Sequence, residues 1–301
     1  MEMKIQQISG NTWCLVGYQM IPLYLTDSKH CIMMDTGTED MRGDILRALE
    51  EADLTPIGLL CTHTHYDHFG NANFFSEHFR CPVALPLGEA EICRTFASVK
   101  SHLAVFSAGQ IMGDPKMASI PCLVDHVIRP EENDTMFRGV RFRVLHTPGH
   151  ALDHVSYITP DGVCYGGDAL LCGHSLTVSK LPYAFNFRQS LESIEKFRTL
   201  DASKMILAHK GVVDAPFDQL LDDNIRVMRE QLQWVGGLID HQMTVEEIYT
   251  AVRQAMGIKV NTPEKALNLE RFLRPYLECL IDDGTHRQSI RDGALCYEPV
   301  K

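Results

Sequence analysis

Cys61-Thr-His-Thr-His-Tyr-Asp-His-Phe-Gly-Asn71 packs His63, His65, Asp67 and His68 into six consecutive positions. Imidazole and carboxylate donors of this kind suit zinc, iron or manganese. The apolar run Pro56-Ile-Gly-Leu-Leu-Cys61 before them reads as a buried strand, and Phe69-Gly-Asn-Ala-Asn-Phe-Phe75 after them as the start of a helix. The donors are therefore expected at a strand end. In extended geometry His63 and His65 point the same way, because strand side chains repeat every two residues, and the following turn lets Asp67 and His68 diverge. One pair serves one metal, the other pair a second. A loop that is merely histidine-rich is a poor account of this order, even with 14 histidines in 301 residues.

Outward from that stretch, further strand ends deliver further donors. Lys4–Ser9, Thr12–Gly17, Pro22–Thr26 and Cys31–Asp35 read as a meander of short strands, followed by a helix with Met41, Ile45, Ala48, Leu49 and Ala52 on one face. A helix over roughly 71–79 and a strand Pro82–Pro86 come next. Residues 95–120 show no clean period, and a segment of that length inside a compact domain suggests a lid or binding element. Strands Val124–Ile128 and Val140–His146 lead to Thr147-Pro-Gly-His150. Strands His154–Ile158 and Gly162–Tyr165 deliver Gly166-Gly-Asp168. A helix over Gln189–Leu200 precedes a strand Lys204–Ala208 that ends at His209. The donors number seven, which suffices for two metals only if one is shared.

The pattern changes near Val212–Pro216. Leu221, Ile225, Met228, Leu232 and Val235 form one helical stripe, and Thr244-Val-Glu-Glu247 is a capping box stapled by Met243 and Ile248. A third helix starts at Thr262-Pro263 and is expected to kink or break at Pro275. Gln288–Tyr297 reads as a hairpin turning on Asp292-Gly293. The expected division is a first domain over 1–215 and a winged-helix-like unit of three helices and a hairpin over 216–301.

Composition narrows the function. With 45% hydrophobic residues the chain can bury a large core. A net charge of -11 argues against a nucleic-acid partner, as do 10 Lys/Arg against 14 Asp/Glu over 216–301. No run nears 18 apolar residues, and Met1–Gln7 has no charged-then-apolar leader pattern, so a cytoplasmic location without membrane contact is expected. The ten cysteines are scattered singly and read as reduced core thiols.

Asp35 after an apolar strand, His63-Thr-His65-Tyr-Asp67-His68, Thr147-Pro-Gly-His150, Gly167-Asp168 and His209 after Ile206-Leu207 occur in one order. In that order and spacing, residues 1–215 resemble the metallo-β-lactamase superfamily. The resemblance implies a four-layer αββα sandwich of the α/β class with two divalent ions at one edge, zinc first and iron or manganese as alternatives. It further implies that His63, His65 and His150 hold the first ion and that Asp67, His68 and His209 hold the second. Asp168 would bridge them, and Asp35 would orient a histidine ligand through its other ring nitrogen. His146 and His154 read as supporting or core histidines, and His174 as a residue that reaches the pocket.

The activity so implied is hydrolysis of a small thioester, ester or lactone by a hydroxide bridging two metals. Asp67 is the catalytic residue that accepts a hydrogen bond from the hydroxide and passes its proton to the leaving group. Where hydroxyacylglutathione hydrolases show Gly-His-Gly, this chain has Ala208-His209-Lys210-Gly211. The alternatives are an endoribonuclease or phosphodiesterase of the same fold, or a metal-binding sensor. Phe106, Met112, Met117, Tyr183, Phe185 and Phe187 are expected to line an apolar small-molecule pocket, with Lys180, Arg188 and Lys210 as nearby cations. The C-terminal unit would wall that pocket or form a homodimer contact.

Overall fold

Strands whose two faces are both buried read as unbroken apolar runs rather than alternating ones. Runs of this kind frame this molecule, a computed structural model that describes residues 3–178, 180–209 and 211–300, the side chains of His174 and Val178 excepted. In chain order the elements begin β1 (Lys4–Ser9), β2 (Thr12–Val16), β3 (Met20–Leu25), β4 (His30–Met34), α1 (Arg42–Glu51), β5 (Thr55–Leu60), α2 (Tyr66–Phe69), α3 (Ala72–Phe79) and β6 (Val83–Pro86). Four short helices follow, α4 (Leu87–Cys93), α5 (Phe96–His102), α6 (Ala108–Gly113) and α7 (Pro115–Ala118). Then come β7 (His126–Ile128), β8 (Asp134–Phe137), β9 (Val140–His146), β10 (Val155–Ile158), β11 (Val163–Tyr165), α8 (Gly173–Val178), α9 (Phe187–Lys196), β12 (Lys204–Leu207) and β13 (Gly211–Asp214). The chain closes with α10 (Asp218–Leu238), β14 (Met243–Thr244), α11 (Val245–Ala255), α12 (Pro263–Asp282), β15 (His286–Arg291) and β16 (Ala294–Pro299).

β1 to β7 form one seven-stranded sheet in sequence order, antiparallel up to β4 and parallel from β4 to β7. The second sheet has the order β13-β12-β11-β10-β9-β8, with β11 and β12 its parallel pair. Alternate residues serve opposite cores. Cys31 and Met33 of β4 face one cluster while Ile32 and Met34 face the next, and Met205 and Leu207 of β12 oppose Ile206 in the same way. The middle cluster joins Met34, Leu60 and Ala84 of the first sheet to Phe142, Tyr157 and Tyr165 of the second. The outer clusters place α1, α3 and the α4–α7 segment on one sheet, and α9 to α12 on the other. The result is an αββα sandwich.

Several expectations change. Residues 95–120 are the helices α5 to α7 rather than an irregular segment, and His102, Leu103, Met117 and Ile120 from them line a cavity that starts at His65. Thr95 caps the first, a Ser107–Gln110 capping box starts the second, and Asp114 precedes Pro115 at the third. Residues 211–214 are a further strand that continues the second sheet beyond His209. β8 is a further strand that the apolar pattern of the sequence does not announce. α12 runs unbroken through Pro275. The capping box at Thr244 is present, and Asp292 (φ 51) and Gly293 (φ 81) adopt the left-handed pair that a two-residue hairpin turn requires.

Candidate metal centre

All seven sequence-picked donors meet at one edge of the sandwich. β5 ends at Leu60, and His65 then sits at the N-cap of α2, which puts Asp67 and His68 on its single turn. β9 feeds His150 through Gly149, whose φ of 129 is open to glycine and whose turn is held by the α9 end: Phe185 N and Asn186 N donate to Gly149 O at 2.7 and 2.9 Å. β11 feeds Asp168 through Gly167 (φ 53), and β12 feeds His209.

One ligand atom from each of His63, His65 and His150 lies within 4.8 Å of the others, and the same holds for Asp67, His68, Asp168 and His209. The two groups touch. Asp168 Oδ2 makes the contact, 3.5 Å from His150 Nε2 and 3.2 Å from His209 Nε2, while within the first group His65 Nδ1 is 2.9 Å from His150 Nε2. Asp168 Oδ1 is 3.2 Å from His68 Nε2, and Asp67 Oδ2 is 3.4 Å from His209 Nε2. His63 and His68 are fully buried, whereas Asp67 is 23% and His209 28% exposed, which makes the latter pair the mouth.

Hydrogen bonds fix which nitrogens face inward. Asp35, fully buried with φ 62, accepts from Thr62 N, Tyr165 OH and His68 Nδ1, each at 2.7 Å. Thr62 Oγ1 donates to Asp35 Oδ2 at 2.9 Å, so it accepts from His63 Nδ1, also 2.9 Å away. His63 and His68 are thereby held with Nε2 directed into the cage. His63 Nε2 is buried without a hydrogen-bond partner and Asp168 Oδ1 meets His68 Nε2 at 3.2 Å; an unpartnered buried imidazole nitrogen is costly unless a ligand completes it. His154, by contrast, spends both nitrogens: Nδ1 meets Thr147 Oγ1 at 2.8 Å and Nε2 accepts from Asp168 N at 3.2 Å. It supports the loop carrying Asp168. His146 instead meets Glu132 O at 2.9 Å, and the side chain of His174 lies outside the described residues.

Electrostatics agree with a cation site. Burial pulls the imidazoles of His63, His65, His150 and His154 below their ordinary value. Burial opposes charge at His68 too, yet Asp168, Asp35 and Asp67 outweigh it and hold that ring well above the usual range. At His209 burial again loses to Asp168, and the ring is pushed up to about 10. Burial would raise Asp168, but His68 and His209 hold it well below the carboxylate range. Positive charge is what these carboxylates require, and the donor set fits divalent ions with nitrogen and oxygen ligands.

Some contributors had no signal in the sequence. Glu89, buried on α4, accepts from Thr64 N (2.9 Å) and Thr64 Oγ1 (2.6 Å) with one oxygen and from Asp153 N (3.1 Å) with the other. It ties the loop bearing His63 and His65 to the loop bearing His150. The buried Gln19 Nε2 is 3.4 Å from His68 Nε2. Of the expected pocket residues, Met117 and Tyr183 line cavities beside the cage. Phe106 instead joins the outer core, Phe187 packs on Tyr276, Met112 is 62% exposed, and Phe185 stacks on His102. Lys180 donates to Met256 O and Arg188 pairs with Asp283, so neither reaches the cage; Lys210 lies outside the described residues.

This cage at the strand ends of an αββα sandwich defines a metal-dependent hydrolase fold. The chain belongs to the metallo-beta-lactamase superfamily, whose sequence profile matches residues 23–209. It is 25% identical over 263 residues to a hydroxyacylglutathione hydrolase of Nitrosomonas eutropha, which covers 85% of this chain and 81% of the relative. A beta-lactamase-like protein 2 homolog of Drosophila melanogaster is 29% identical over 209 residues, 66% of this chain and 62% of the relative. Among solved structures, a beta-lactamase domain protein from Burkholderia ambifaria superposes with a TM-score of 0.70 at 18% identity, covering 98% of this chain and 93% of its own. A metallo-beta-lactamase family protein from Thermus thermophilus gives 0.69 at 21% identity over 99% and 98%. These last two speak to the fold alone. No helix among the described residues is long and apolar enough to cross a membrane.

Proposed function

We propose that the chain is a dinuclear hydrolase of small thioesters, esters or lactones, with His63, His65 and His150 holding one divalent ion, Asp67, His68 and His209 the other, and Asp168 shared. The observation that carries this reading is the pair of donor groups that touch through Asp168, with the unpartnered His63 Nε2 directed into them. Two such ions, zinc first with iron or manganese as alternatives, would supply Lewis acidity and would lower the pKa of a water to about 7. Asp35 and Thr62 keep the ligand nitrogens in the right tautomer, and Glu89 keeps the two histidine loops in register. Asp67, at the mouth, accepts the proton of the attacking water and returns it to the leaving group. Tyr183, 5.5 Å from the His65 ring and 5.7 Å from that of His150, covers that side of the cage and limits water there.

The relative named hydroxyacylglutathione hydrolase supports the thioester choice. The acidic surface of residues 216–301 speaks against tracking a nucleic-acid backbone. Elemental analysis of protein produced with ample metal should find two ions per chain, and Asp168→Ala should lower both occupancy and turnover. A single ion or none would end the dinuclear reading. On one metal-loaded sample, kcat/KM for acyl thioesters and lactones should exceed that for a phosphodiester reporter and a short single-stranded RNA; the reverse order would replace the substrate class.

A further inference from the structure

The hairpin of β2 and β3 ends at the cage. Val16 and Met20 are the last paired residues of its ladder, which leaves Gly17, Tyr18 and Gln19 as the turn. Met20 N donates to Ala208 O at 2.8 Å, so the turn is fastened to the residue that precedes His209. Tyr18 is 71% exposed, whereas Gln19 beside it is buried, with 1% exposure. A glutamine in a turn ordinarily stays in water, because an amide taken out of it costs free energy unless hydrogen bonds are regained.

Gln19 regains one at a metal ligand: its Nε2 lies 3.4 Å from Nε2 of His68. His68 Nδ1 is committed to Asp35 Oδ2 at 2.7 Å, so Nε2 is the nitrogen left for the second ion. A ring nitrogen that holds an ion can neither accept from an amide nor donate to one. In the loaded protein Gln19 must therefore direct its amide at another atom in the same corner of the cage. Asp67, His68, Asp168 and His209 already offer four donors there, the number a zinc site usually takes. The amide is then left to donate to an oxygen rather than to serve as a fifth ligand. A lysine or arginine in this place would be captured by Asp67 or Asp168, but a neutral amide keeps its donor for an oxygen that becomes negative only during the reaction.

We infer that Gln19 is a catalytic residue whose Nε2–H donates to the acyl oxygen of the substrate on the second-ion side of the cage. The inference rests on the hydrolase reading and deepens it. As water adds to the acyl carbon, the carbonyl electron pair moves onto that oxygen and the hydrogen bond from Gln19 strengthens. The pair returns when the bond to the leaving sulfur or oxygen breaks. Gln19 neither gains nor loses a proton, which keeps its part separate from that of Asp67.

Wild type, Gln19→Met and Gln19→Glu, each produced with ample metal, are compared in three ways: ions per chain by elemental analysis, kcat and KM on a butyryl thioester, and calorimetric titration with butyrate, the carboxylate that hydrolysis releases. Ion content should be the same in all three proteins. Gln19→Met should lower kcat about 100-fold or more, with KM within about threefold of wild type, and should weaken butyrate about tenfold. Gln19→Glu, of the same shape but without the donor, should weaken butyrate further. Loss of ions from Gln19→Met, or full turnover by Gln19→Glu, would make Gln19 an ion ligand or a support of Asp168. A raised KM at unchanged kcat would make it a ground-state contact, and unchanged kcat and butyrate affinity a core amide; each of these results overturns the inference. A wild type that binds butyrate but hydrolyses neither thioester nor ester would remove the hydrolase reading instead, and the butyrate titration of the variants would still decide whether Gln19 donates to an anionic oxygen.

Discussion

At the scale of single residues, Gly149 and Glu89 decide whether His150 can meet His63 and His65. A β-carbon on Gly149 would lie 2.2 Å from Ser190 N and 2.5 Å from Ser190 Cα, both backbone, at a φ of 129 that side chains disfavour. Gly149→Ala must therefore move either the His150 turn or the start of α9. It is expected to destabilise by at least about 1–3 kcal/mol and to reduce metal content, both readable from denaturation and elemental analysis. Glu89 acts from outside the cage. Its carboxyl is raised by burial, against which Thr64 and Asp153 donate. Glu89→Ala would leave the backbone N–H groups of Thr64 and Asp153 buried without an acceptor, a loss on the order of 1–3 kcal/mol. The two loops would part, so metal bound by the three-histidine group should weaken more than metal held by Asp67, His68 and His209. Equal loss from both groups would make Glu89 a general stability residue.

At the scale of elements, caps decide the helices that periodicity leaves weak. Thr244 Oγ1 accepts from Glu247 N at 3.2 Å and Glu247 Oε2 accepts from Thr244 N at 2.7 Å. Thr244→Ala should cost about 1 kcal/mol in chemical denaturation. The Glu247 carboxyl is lowered first by the Thr244 N–H and then by Arg291. Because its folded value lies below the ordinary 4.5, its contribution is complete above that pH and is lost as pH falls through the folded value. The melting difference between wild type and Glu247→Gln should accordingly shrink on moving from pH 7 to pH 3; a constant gap would show that ionisation of this group has no part in it. α5 to α7 are short elements of the same kind, in which Thr95, Ser107 and Asp114 replace the long apolar stripe that α1 and α10 display.

At the scale of the whole molecule, residues 216–301 are joined to the sandwich by a shared core. Leu170, Phe187, Ile194, Phe197 and Leu207 before that point share one buried cluster with Leu221, Ile225, Leu273 and Tyr276 after it. Tyr276 OH also donates to Pro182 O at 2.9 Å. We propose that the extension is a separate unit by chain order whose apolar face is completed only against α9, β12 and the loop at Leu170. A chain ending at Pro216 would expose that cluster. It should be recovered mostly as aggregate in size-exclusion chromatography. A soluble, monodisperse fragment would show that the extension completes no shared core.

The sequence alone determined the donor roster and the apolar strands, and its resemblance to a known superfamily implied the sandwich. Runs such as Pro56–Cys61 and Lys204–Ala208 are apolar on both faces because each sheet is covered twice, and such runs end abruptly where polar donors begin. His63, His65, Asp67 and His68 were legible because local spacing records the strand-to-helix turn that aims them. β8, β13 and the helices over 96–118 were not, since they are short, partly exposed and held by neighbours rather than by a long period of their own. Only the tertiary structure decided what shapes the space around the donors. Glu89 matters because Thr64 and Asp153 come to it from two loops, and Gln19 because the turn between β2 and β3 meets His68 beyond the end of β5. No local pattern encodes either meeting, for a carboxylate or an amide reads as an ordinary surface group until packing removes it from water.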